Sequence, residues 1–337
     1  YYAEKLRKAK YELDDNELRP YFQLAKVRDG AFWVATQLYG LTFEPLDDMP
    51  KPHPEAQVFR IKEADGTHCA VMYMDFHPRD SKRGGAWCGS FRSQNRSHGV
   101  EVDPIINVVC NFTRPSGDVP ALLSLDEVET LFHEFGHALD GMFSNVTYRT
   151  GFRSTDFSEL PSQIMEHWAV EPEVMKHYAR HYETGEPIPD DLIAKIEKSG
   201  HFNQGFATVE YLAASLLDMK LHTLTEPVDV DVMAMEQEYF DGIGLIPEIY
   251  SRYRSSYFGH VIGGYAAGYY GYIWCGVLDN DAFEAFRETS LFDRDTAERF
   301  RTTILERNGT VDFMEMYRDF RGREPEIEPL LKKRGLM

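Results

Sequence analysis

The sequence predicts a mainly α-helical chain with one small β-sheet. Two observations carry this. From Pro120 onward apolar residues recur with helical rather than alternating spacing, and between residues 57 and 112 short strand-like runs are broken by turn residues. No internal repeat or low-complexity tract interrupts the pattern and no linker divides it, so the 337 residues read as one unit. Three stretches follow: a helical entry over 1–56, a β-subregion over 57–112, and a helical region over 113–337.

In the entry stretch, Phe32, Trp33, Val34, Leu38 and Leu41 form an apolar cluster, and Pro50, Pro52 and Pro54 then end regular structure. Gln57 to Lys62 and His68 to Phe76 read as strands joined by Asp65-Gly66, a dipeptide suited to a tight turn. Ile105 to Phe112 is a third strand candidate, preceded by the glycine-containing stretch Arg83-Gly84-Gly85-Ala86-Trp87. Ser124 with Glu127 is a capping-box signal, and it predicts a helix through Leu131, Phe135 and Leu139 to about Phe143. Phe206, Val209, Leu212, Leu216 and Leu217 have amphipathic-helix spacing, and a further helix is expected from near Asp295 to Asn308-Gly309.

Composition narrows the function. A formal charge of −19, from 36 basic and 55 acidic side chains, argues against nucleic acid, because phosphate binding needs clustered Lys and Arg. It also disfavours an anionic membrane surface, and it reads as solubility rather than attraction for basic substrates. No apolar run is long enough to span a bilayer. Cys69, Cys88, Cys110 and Cys275 form no Cys-x-x-Cys pair and read as reduced, mostly buried thiols. The expected compartment is the cytoplasm, with the periplasm as the alternative. The first residue is Tyr1, and no apolar signal region follows it.

The sharpest motif is His133-Glu134-Phe135-Gly136-His137. On a helix, residues four apart share a face, so two imidazoles can bind one tetrahedral zinc while Glu134 reaches a water beside it. Gly136 costs about 1 kcal/mol inside a helix relative to Ala, which points to a close neighbour at that position. A hydrolytic zinc needs a third protein ligand and an open position for water. Glu159, 22 residues after His137, is the candidate, at a helix start where Ser158 can cap and Pro161 is tolerated. Glu166 lies two turns on along the same face and can hydrogen-bond a ligand imidazole.

The second constellation runs from His260 to Tyr272. Tyr265, Tyr269 and Tyr272 stand at i, i+4 and i+7, the spacing of one helix face. Such a stripe alone is more often core packing, but Gly263, Gly264, Gly268 and His260 in so short a run suit close backbone approach and hinge freedom. His260, Tyr265 and Tyr272 can donate to an oxyanion. Tyr269 is read as a further substrate contact. Arg252 and Arg254 either hold a substrate carboxylate or make ordinary ion pairs.

With both clusters in view, the sequence resembles the thimet oligopeptidase and neurolysin family of zinc peptidases. The matching segments stand in one order: Phe32 to Ala35 with Tyr39-Gly40, Asp80 to Trp87, His133 to His137, Glu159 to Gln163 with Glu166-His167-Trp168, and Arg252 to Tyr272. The ending, from Phe320-Arg321-Gly322-Arg323 to Arg334-Gly335-Leu336, looks like the peptidyl-dipeptidase (dipeptidyl carboxypeptidase) branch. The resemblance implies a zincin-like helical half of an ellipsoid with a deep channel that admits short unstructured peptides. It implies one zinc on His133, His137 and Glu159, Glu134 as general base and then proton donor, and His260, Tyr265 and Tyr272 on substrate and oxyanion. It implies, too, that a long N-terminal helical segment forms much of the opposite channel wall. That segment is not in this sequence, and the loop between His137 and Glu159 is a few residues shorter than the family's. An extended substrate is expected to pair with a strand edge near Gly85 and Ala86.

Two other readings stand beside release of C-terminal dipeptides. One is an internally cleaving oligopeptidase of the same family. The other is a non-catalytic peptide-binding module with a structural zinc, which would need four protein ligands where the sequence offers three and an intact Glu134.

Overall fold

The computed structural model describes residues 1–11, 13–149, 154–307 and 309–337. Helices α1 (Tyr2–Tyr11) and α2 (Asp15–Leu18) lead into α3 (Leu24–Tyr39), which Gly40 ends in a left-handed conformation that a side chain would disfavour. Five strands follow: β1 (Thr42–Pro45), β2 (Gln57–Lys62), β3 (His68–Asp75), β4 (Trp87–Arg92) and β5 (Ile105–Val109). The remainder is helical: α4 (Leu125–Phe143), α5 (Leu160–Val170), α6 (Pro172–Tyr178), α7 (Asp190–Ser199), α8 (Gln204–His222), α9 (Val232–Gly242), α10 (Gly271–Glu288), α11 (Arg294–Phe300), α12 (Phe313–Arg321) and α13 (Glu328–Lys333).

The sheet has the order β1-β2-β3-β5-β4. Only the β3–β5 pair is parallel, and β2–β3 is the expected hairpin with Gly66 at positive φ in its turn. Two strands were not expected. β1 places a strand inside the stretch read as a helical entry. β4 is an edge strand exposed along much of its length, so its side chains lack the alternation that marks a half-buried strand.

One large core joins sheet and helices. Phe32 of α3 stacks on Phe43 of β1 with ring centroids 4.0 Å apart, and Phe135 of α4 packs against both rings. α4 begins and ends as its sequence signals say, with Ser124 and Glu127 capping each other's backbone N–H. Its neighbour is α5, and Gly136 is the closest point between them. A Cβ there would lie 2.2 Å from the Pro161 carbonyl oxygen and 2.7 Å from Ser162 Cα. Gly136→Ala is therefore expected to push α5 away from α4 at a cost of about 1–3 kcal/mol. A thermal melt checks this, and an unchanged melting temperature would refute the close approach.

The structure adds detail to two expected helices and corrects the expected tyrosine stripe. The helix expected from near Asp295 starts at Arg294, capped by Asp293, and passes at Arg301–Leu305 into a π-helical turn; Asn308 lies outside the described residues. The apolar stripe of α8 faces outward. Phe206, Val209, Leu212 and Leu216 are 38–44% exposed, while Ala213, Ala214, Leu217 and Asp218 form the inner face. The residues from Gly263 to Tyr270 are turns, and helix resumes only at Gly271, so Tyr265, Tyr269 and Tyr272 do not share a helical stripe.

All four cysteines are free, two of them buried. Among the described residues no helix is long and apolar enough to cross a membrane.

Candidate metal centre

The site is built on the α4–α5 contact. His133 and His137 lie one turn apart on α4, their rings 5.0 Å apart and nearly perpendicular. Glu159 stands at the start of α5, 1% exposed, with its carboxylate turned back to α4. Its Oε2 lies 3.2 Å from Nε2 of His133 and 3.2 Å from Nε2 of His137. The Ser162 hydroxyl lies 2.8 Å from that same oxygen, and the Tyr265 hydroxyl donates to Oε1.

The donor chemistry fits a metal. The Glu166 carboxylate lies 2.6 Å from Nδ1 of His133, so a ring that keeps its proton on Nδ1 alone presents an Nε2 lone pair toward Glu159. That lone pair, the His137 imidazole and a Glu159 oxygen converge on one point. Electron pairs so placed repel unless a cation lies between them. A proton on one ring would relieve a single contact, whereas one metal ion relieves all three. The three donor atoms lie within 4.8 Å of one another, the spread one ion can bridge.

Glu134, between the two histidines, is 5% exposed, and its Oε2 has no hydrogen-bond partner. Burial holds its carboxyl above the ordinary range against the pull of His133 and His137. A buried, unpaired carboxylate oxygen is costly, and such groups persist mainly where chemistry needs them.

These residues open onto a cleft of about 1050 Å³. Gly85, Ala86 and Trp87 line it at the start of β4, and Arg252, His260, Tyr265 and Tyr272 line it together with the metal donors. Lys82 anchors the loop that delivers Gly85, its ammonium bonding Asp75 and the carbonyls of Asp75, His77 and Cys110. Asn111 donates to the carbonyls of Arg83 and Gly85 (2.9 and 2.7 Å). Tyr265 and Tyr272 stack at 5.3 Å, with His260 against both rings. Burial, and then the Arg252 guanidinium, push the His260 imidazole below its usual range, so it is neutral near pH 7.

Two candidate substrate contacts are not brought to the cleft. Arg254 is neutralised by the buried carboxylate of Glu236. The Tyr269 ring is 3% exposed and packs with Phe258 and Tyr253 in a second, smaller core. Arg252 instead lines the cleft, as Arg83 does, its guanidinium over the Tyr253 ring at 5.8 Å. The motif reading also missed Ser162, although its position three residues after Glu159, one turn along α5, was a usable signal.

A paired-histidine helix completed by a carboxylate from the next helix, beside a large cleft, is the arrangement of a metallopeptidase centre. The chain belongs to peptidase family M3, whose pattern matches residues 1–336. It is 45% identical over its whole length to dipeptidyl carboxypeptidase of Salmonella typhimurium, covering 50% of that protein. It is 38% identical over its whole length to the chloroplastic/mitochondrial organellar oligopeptidase A of Arabidopsis thaliana, covering 45% of it. The chain thus spans about half the length of the curated relatives it matches. In fold it is similar to a Pyrococcus furiosus carboxypeptidase, with a TM-score of 0.54 and 12% identity over 94% of this chain and 59% of that one.

Proposed function

We propose that this chain is the catalytic part of a zinc peptidase that releases dipeptides from the free C-terminus of short unstructured peptides. The observation that carries the reading is the convergence of His133, His137 and Glu159 beside the unpaired oxygen of Glu134, at the foot of a cleft wide enough for an extended peptide. The 3.2 Å separations match the edge of about 3.3 Å expected of a tetrahedral zinc with bonds near 2.0–2.1 Å.

His133, His137 and Glu159 would hold the ion, with Glu166 and Ser162 fixing the orientation of the first and last. Bound zinc supplies Lewis-acid activation of water and of the scissile carbonyl. Glu134 takes the proton from the attacking water and returns it to the leaving amine. Tyr265, Tyr272 and neutral His260 present donors to the oxyanion that develops. Tyr265 reaches it by giving up its bond to Glu159. Gly85 and Ala86 hold substrate backbone at the β4 edge, and Arg252 offers a fork for a carboxylate.

The relatives also support an internally cleaving oligopeptidase, and Arg252 at the cleft wall favours the dipeptide-releasing reading. For the outward face of α8, with Phe206, Val209, Leu212 and Leu216, the partner we propose is the further helical segment that the twofold greater length of the relatives supplies.

Zinc content and mass-spectrometric products of one free and one amidated octapeptide test the reading, for this chain alone and with that segment added. Expected are about one zinc per chain, dipeptides released stepwise from the free peptide, and no cleavage of the amidated one. Internal cleavage of both peptides would establish the oligopeptidase. Zinc bound without cleavage under either condition would overturn the catalytic reading.

A further inference from the structure

The loop from Gly263 to Tyr270 carries Tyr265 and leads into Tyr272, yet it is neither helix nor strand. Some of its amides bond within the loop: Tyr265 to the His260 carbonyl and Gly268 to the Tyr265 carbonyl. Ala267 and Tyr269 have no such partner, and Ala267 sits at φ +53, a conformation that disfavours a residue with a side chain. Both amides donate instead to one carboxylate. Asp218 of α8 accepts from Ala267 at Oδ1 (3.0 Å) and from Tyr269 at Oδ2 (2.9 Å).

Asp218 is fully buried, and Nδ1 of His222, one turn on, lies 2.8 Å from its Oδ1. Also from α8, the Tyr211 hydroxyl donates to the Tyr269 carbonyl and accepts from the Ile273 amide. On the other flank Thr155 presses against the loop: a Cβ at Gly268 would meet its side chain at 2.8 Å, and one at Gly271 its carbonyl oxygen at 2.5 Å. The tyrosine loop is therefore held between α8, whose side chains bond its backbone, and Thr155, which packs against its glycines. Neither Asp218 nor Tyr211 lines the cleft.

We propose that Asp218, assisted by Tyr211, is a positioning residue. It accepts the two loop amides that would otherwise be unpaired and so fixes where the Tyr265 and Tyr272 hydroxyls stand over the metal donors. The positioning rests on the catalytic reading above only for its consequence in turnover. The geometry of the loop stands without it.

Two measurements on the whole protein separate these. In Asp218→Asn, which turns one of the two acceptor oxygens into a donor, at least one of the Ala267 and Tyr269 amides should exchange with deuterium about tenfold faster or more, the scale of a lost hydrogen bond to a charged group. Unchanged protection would overturn the proposal. The same variant should lower kcat about tenfold or more with KM and bound zinc unchanged. In the Tyr265→Phe/Tyr272→Phe background, the same substitution should change kcat less than about twofold, because it acts through those hydroxyls. An equal loss in both backgrounds would overturn it as well. If Asp218→Asn does not fold, Tyr211→Phe, which removes one hydroxyl at constant shape, carries the same cycle. If the parent protein shows no turnover, the catalytic reading fails, and the exchange measurement still decides the positioning.

Discussion

Replacing Glu134 by glutamine is expected to lower kcat by about 10²–10⁴-fold while the metal content stays that of the parent. The substitution keeps length, shape and burial, so packing on the inner face of α4 is preserved. It removes one property, the ability to take and return a proton. Oε2 of Glu134 has no partner, and hence no structural bond is lost when it becomes an amide. Three outcomes can be told apart. Lost turnover with metal retained is the expected one, amounting to about 3–5 kcal/mol of transition-state stabilisation. Retained turnover removes Glu134 as general base. Lost metal makes Glu134 a ligand and rewrites the centre.

Legibility of this chain in its sequence followed the range of the signal. The helix carrying the histidines was readable because its information is local: a capping box at Ser124, an apolar period through Leu139, and a glycine whose cost announced the contact with Pro161. Glu159 was not readable by spacing. Nothing in the sequence between His137 and Glu159 says that the chain returns to α4; its helix-start position made Glu159 a candidate, and family resemblance carried the assignment. Where a local signal misled, a distant partner had overridden it. The tyrosine spacing promised a helix, but Gly263, Gly264 and Gly268 weaken one, and Asp218, 49 residues before Ala267, takes the amides. Arg254 looked as free as Arg252 until Glu236, 18 residues earlier, neutralised it. On α8 the period gave the helix but not what its apolar face meets, because amphipathicity states that a face is covered without stating by what.

Glu159 is also where removal of a single group should most damage the centre. Glu159→Ala is expected to lower zinc affinity by more than the 10- to 100-fold typical of losing an outer partner, with turnover falling in proportion to metal occupancy. The carboxylate supplies a ligand and a negative charge, and two histidines on one helix cannot by themselves close a tetrahedral site. Its loss also strands the groups built around it: the Ser162 and Tyr265 hydroxyls lose their acceptor, and His133 and His137 face a void. Glu166→Gln provides the graded comparison. It leaves all three ligands in place and weakens only the hydrogen bond that orients His133, so its loss should fall within about 10- to 100-fold. Titration with a competing chelator measures both variants on one scale. The order Glu159→Ala far below Glu166→Gln, with Glu166→Gln below the parent, is the signature of a carboxylate ligand backed by a carboxylate that orients its neighbour. Equal affinity for Glu159→Ala and the parent would place the third donor elsewhere and leave the 3.2 Å contacts as hydrogen bonds between a buried acid and two imidazoles.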